Sequence, residues 1–108
     1  MANTQQAPKL KHNGVKQKNE QFYQLPQELM DIIFNKLKDA SAQLRVMIVL
    51  IGTKPGFNIS EQWILDRTGL LHASYIKARK ALIERGWISL DAATTITVNF
   101  DVIYAEKM

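Results

Sequence analysis

Ile64-Leu65-Asp66-Arg67-Thr68-Gly69-Leu70-Leu71-His72-Ala73-Ser74-Tyr75-Ile76-Lys77-Ala78-Arg79-Lys80-Ala81-Leu82-Ile83-Glu84-Arg85-Gly86-Trp87-Ile88 is the stretch on which the fold turns. Thr68-Gly69 stops a helical pattern that is barely two turns old, and a second helical pattern begins within a few residues. That second pattern runs over residues 72–85, until Gly86 supplies a left-handed stop. Two short helices meeting at so tight a turn form a corner rather than one long rod.

Upstream, Ser60 stands three residues before Trp63 and predicts a capped start for the first of these helices, over residues 61–67. The breakers Gly52, Lys54-Pro55-Gly56 and Asn58 separate it from an almost wholly apolar run. In that run Leu44, Val46, Met47, Ile48, Val49, Leu50 and Ile51 leave little polar face. A buried helix over 42–51, capped by Asp39 or Ser41, is the reading taken; the β-branched residues keep a core strand open as an alternative. Before it, Pro26 suits a first helical turn. Leu29, Ile32, Ile33 and Leu37 then recur at spacings of three and four, which predicts an amphipathic helix over 27–38.

Downstream, the period changes to two. Trp87-Ile88-Ser89-Leu90, a polar stretch over 91–94, and Thr95-Ile96-Thr97-Val98-Asn99-Phe100 read as a two-stranded hairpin. The expected fold class is therefore mainly α with a small β-hairpin. A tri-helical core followed at once by such a hairpin is the layout of a winged helix-turn-helix domain. Residues 22–108 are assigned to it. Residues 1–21, rich in Gln, Asn and Lys, carry too few apolar side chains to offset their ordering entropy and are expected to be a flexible basic arm.

The Thr-Gly-Leu turn and the ending Leu82-Ile83-Glu84-Arg85-Gly86-Trp87-Ile88 resemble the winged helix-turn-helix domains of phage and plasmid replication proteins of Gram-positive bacteria. The resemblance covers residues 25–100. It implies DNA binding, with the helix after the turn in the major groove and the hairpin as a wing against backbone or minor groove. One position departs from that pattern: Leu71 stands where such domains commonly carry a Ser or Thr cap, which leaves His72 or Ser74 as the alternative caps.

Charge supports the same reading. The 108 residues carry a net +4, with +3 in each of two segments and −2 over the rest. Lys9, Lys11, Lys16 and Lys18 face one acid, Glu20, in the N-terminal segment; Lys77, Arg79, Lys80 and Arg85 face one acid, Glu84, in the helix after the turn. With Tyr75, Ala78 and Leu82 turned to the core, His72, Ala73, Ser74, Lys77, Lys80 and Ala81 face outward, a surface that is small, polar and basic. Lys77 and Lys80 are the best phosphate or guanine contacts, Ser74 a phosphate donor and His72 a base-edge reader. Arg79 lies nearer the apolar stripe, where its stem can cover the core. Ala73, with Thr94 and Thr95 at the wing, completes the candidate DNA-binding set. Trp63, Trp87 and Tyr75 are read as core rather than as a stacking platform.

Other classes have less to stand on. There is no cysteine, which excludes disulfides, thiolate metal sites and cysteine nucleophiles, and two isolated histidines do not make a zinc site. No Gly-rich phosphate loop or paired nucleophile is present, so no enzyme, cofactor or small-molecule substrate is expected. No apolar run reaches the roughly 20 residues of a membrane span, and a cytoplasmic location is the expectation. The partners expected are double-stranded DNA and a second copy in a homodimer, joined through the first helix or Asp101-Val102-Ile103-Tyr104. The competing function is a protein-protein interaction or dimerisation module on the same fold, with Phe34, Phe57 and Ile76 as its apolar contacts.

Overall fold

The computed structural model describes residues 9–14, 27–91 and 95–106. Its elements in chain order are β1 (Leu10–Asn13), α1 (Gln27–Lys36), α2 (Ser41–Ile51), α3 (Glu61–Thr68), α4 (His72–Arg85), β2 (Ile88–Leu90), β3 (Ile96–Asn99) and α5 (Phe100–Ala105). The described residues are mainly helical, with one small mixed sheet in the order β1-β3-β2. Among them, no helix is long and apolar enough to cross a membrane.

The apolar run over 42–51 is a helix, not a strand. Val46, Met47, Leu50 and Ile51 are essentially unexposed, and α1, α3 and α4 all pack on α2. A helix surrounded on several sides needs no polar face, which is why its periodicity is weak. Its start differs from expectation. The N-cap is Ala40, whose carbonyl accepts the Leu44 N–H at 3.0 Å, and no side chain caps the helix. Ser41 already lies inside the first turn and Asp39 lies one residue too early, so neither can cap. α1 buries Leu29, Ile32 and Ile33 and ends at Lys36; Leu37 follows in a turn, fully buried.

The corner between α3 and α4 is built from three residues. Gly69 takes φ 75°, and its N–H closes α3 on the Leu65 carbonyl at 2.8 Å. Buried Thr68 donates its hydroxyl to the Ile64 carbonyl at 2.8 Å and accepts from the Leu70 N–H at 3.3 Å, fastening the turn to the helix it leaves. Arg45 of α2 donates to the Thr68 carbonyl at 3.1 Å, tying the same corner to the central helix. Ser60 caps α3 as expected, accepting from the Trp63 N–H at 3.0 Å. α4 spans the expected residues and stops at Gly86 with φ 82°.

The hairpin forms, with β2 antiparallel to β3 and Ile88 opposite Val98. β3 is the central strand: Ile96 and Val98 are buried on one face while Thr97 and Asn99 are half-buried on the other. Two features were not foreseen. Residues 10–13, expected within a flexible arm, form β1, paired parallel to β3 with Leu10 opposite Ile96. Leu10 is fully buried, and its backbone is also held by Phe57 and Gly56, with Leu10 N–H to the Phe57 carbonyl at 3.1 Å and Gly56 N–H to the Leu10 carbonyl at 2.8 Å. The folded unit thus reaches into the segment assigned to the arm. Residues 1–8 and 15–26, the rest of that assignment and the start of the domain, lie outside the described residues.

The second feature is α5. The alternation of period two runs through Phe100, but the chain turns helical there, burying Phe100 and Ile103 and packing α5 on α1. Asn99 marks the change: its side-chain amide donates to the Gly86 carbonyl and to the Ser89 hydroxyl, both at 3.0 Å, so the strand ends against the start of the hairpin. Trp87 is fully buried between these parts, its indole N–H donating to the Glu106 carboxylate at 2.7 Å.

Candidate nucleic-acid interface

α4 is anchored by Tyr75, Ala78 and Leu82, which are 1%, 4% and 0% exposed. Those three fix which side of the helix meets solvent, because residues three and four apart share a face. His72, Ala73, Ser74, Lys77 and Lys80 are all exposed, and Ala81 is half-buried. Lys77 and Lys80 make no hydrogen bond or ion pair with another described residue. Their charge is therefore uncommitted among those residues, as a phosphate contact requires. α4 has no acid in its first turn; Glu84, exposed on the outer side, stands nearer the other end.

The remaining candidates divide. His72 is exposed, but its Nε2 lies 3.0 Å from a Glu61 carboxylate oxygen of α3. That contact turns the ring back along the corner and competes with base reading. Arg79 is half-buried, with its guanidinium 5.3 Å from the Tyr75 ring centroid. The stem-over-core reading of Arg79 describes this geometry. Burial raises the Tyr75 hydroxyl above the usual tyrosine range, and the neighbouring Arg79 offsets part of that rise. At the wing, Thr95 is buried, with its N–H donating to Asp91 at 2.9 Å, so its side chain is not offered to a ligand. Thr94 lies outside the described residues.

Sequence reasoning missed the second wall of the site. Ser74, Lys77, Ala78 and Ala81 of α4 face residues 39–43 at the start of α2 across an open groove of about 460 Å³. Arg85 bridges the same two helices further along, donating to the Gln43 side chain at 3.1 Å while its guanidinium sits 5.4 Å from the Trp87 ring. No spacing in the sequence announces this juxtaposition, because it depends on the crossing of two helices separated by a loop and by α3.

Of the aromatic residues expected in the core, Tyr75 and Trp87 are buried, whereas Trp63 is half-buried beside exposed Phe57, ring centroids 6.4 Å apart, with the Arg67 guanidinium 4.9 Å over its ring. The surfaces expected to dimerise are largely used within the chain: α1 and α5 pack on one another, and Leu29, Ile33 and Ile103 are fully buried. Phe34 and Val102 stay exposed there, Phe57 is exposed on a separate loop, and half-buried Ile76 packs against the core. Among the described residues no three His, Cys, Asp or Glu side chains gather as a metal site.

Comparison of the chain with protein-family models, with curated proteins and with solved structures finds no match.

Proposed function

We propose that this chain is a winged helix-turn-helix domain that binds double-stranded DNA, with α3 and α4 as the helix pair, α4 in the major groove and the β2–β3 hairpin as the wing. The observation that carries the reading is the division of α4. One face is locked into the core by Tyr75, Ala78 and Leu82, and the other presents Ala73, Ser74, Lys77 and Lys80 to solvent. Short side chains at the N-terminal end let a helix approach base edges, and cations one and two turns later meet the phosphates on either side. The role suggested by the sequence resemblance is that of a transcriptional regulator or replication-associated protein of a phage or mobile element.

The test is fluorescence anisotropy of a labelled random-sequence duplex with the whole chain, at low and at physiological salt. Binding that weakens steeply as salt rises supports the reading, because counterion release from phosphates has that signature. No binding at micromolar protein in low salt overturns it and favours the interaction-module reading.

A further inference from the structure

Leu71 is 78% exposed, the most exposed large apolar side chain among the described residues. It occupies the N-cap of α4 in an extended conformation, φ −74° and ψ 156°, and makes no capping hydrogen bond. Its backbone carbonyl accepts the Tyr75 N–H at 2.9 Å, so the main chain starts the helix normally while the side chain does nothing for it. A Ser, Thr, Asp or Asn here would satisfy a free first-turn N–H, and Leu cannot. An apolar group left in water where a polar one would serve the fold better breaks a local rule, and such breaks concentrate at functional positions.

Its neighbours leave Leu71 as the leading apolar group at this end of α4. His72 is drawn back to Glu61 at 3.0 Å, and Ala73 and Ser74 are short. In the major groove the one apolar feature of a base-pair edge is the thymine C5-methyl, and aliphatic side chains read it by contact. We infer that Leu71 is a specificity residue of the DNA interface, packing on the C5-methyl of a thymine. The inference rests on the DNA-binding reading proposed above.

Deoxyuridine differs from deoxythymidine only by that methyl, which makes the test sharp. Duplexes are first selected from a random-sequence pool by the whole wild-type chain, and each thymine of the selected site is then replaced singly by deoxyuridine. Burying one methyl corresponds to roughly fourfold in affinity. The expected result is a loss of about that size at one thymine per bound chain for wild type, and none at that position for Leu71→Ala. Circular dichroism reports whether the variant is folded, and the substitution in the DNA leaves the wild-type protein untouched in any case. Selected duplexes that tolerate deoxyuridine everywhere overturn the inference and leave DNA binding standing. A pool with no enriched or retained duplex overturns the DNA-binding reading, and the inference with it. A self-association that Leu71→Ala abolishes, with no deoxyuridine effect, likewise overturns it in favour of a protein contact.

Discussion

Replacing Lys77 and Lys80 together by alanine separates the DNA-binding reading from the fold. Both side chains are exposed and engage no other described residue, so stability should stay within about 0.5 kcal/mol of wild type, as for surface positions without partners. Binding should not. If each lysine neutralises one phosphate, the slope of log K against log salt becomes shallower by about 1.8. Across a rise from roughly 50 to 200 mM salt, wild type should then lose about twelvefold more affinity than the variant. At the low-salt end the variant should bind on the order of tenfold more weakly. The assay is an anisotropy titration on one duplex at four or more salt concentrations, with urea unfolding as the control. An unchanged slope, with both proteins equally stable, refutes the assignment of these lysines to the interface.

Leu10→Ala should destabilise the protein by about 2–5 kcal/mol in urea titration, because a fully buried side chain between β3 and the Phe57 loop is lost; a free arm would give no change. Leu71→Ser should raise stability by about 1 kcal/mol by restoring a cap to α4, read as a higher urea midpoint at unchanged slope. Gly69→Ala should cost about 1–2 kcal/mol from backbone strain alone, since φ is 75° and the added Cβ meets only Arg45 at an ordinary 3.7 Å. Tyr75 is held above the usual tyrosine pKa, chiefly by burial, so its contribution is fully present below about pH 10 and is lost as pH rises through the higher folded value. Wild type should therefore lose thermal stability across that alkaline range more steeply than Tyr75→Phe; parallel Tm profiles for the two proteins would contradict the burial argument.

The sequence by itself determined α1, α3 and α4. Spacings of three and four placed α1 and α4, Ser60 placed the start of α3, and Gly69 and Gly86 placed two ends, because capping and left-handed glycine act within a few residues of themselves. The same local rules identified Tyr75, Ala78 and Leu82 as the inward face of α4, and with it the outward position of Lys77 and Lys80. The hairpin was legible from period two, though not its end: alternation ran through Phe100, while the helical turn at that residue depends on burial of Phe100 and Ile103 with α5 against α1.

Only the tertiary structure decided the rest. β1 contains a single fully buried hydrophobe, Leu10, in a polar stretch, and its partner β3 lies more than eighty residues away. A strand so short and so distant from its neighbour leaves no periodic signal; it exists because Leu10 fills a gap in a core that other segments create. The choice of helix for α2 was of the same kind, since an element buried on several sides shows the same apolar run whichever way its backbone is wound. At the interface the tertiary structure turned His72 toward Glu61, buried Thr95 and set Ser74 and Lys77 across a groove from the start of α2. Each of these depends on where a second element comes to rest, a property of packing between segments that are distant in the chain and unmarked in the local sequence.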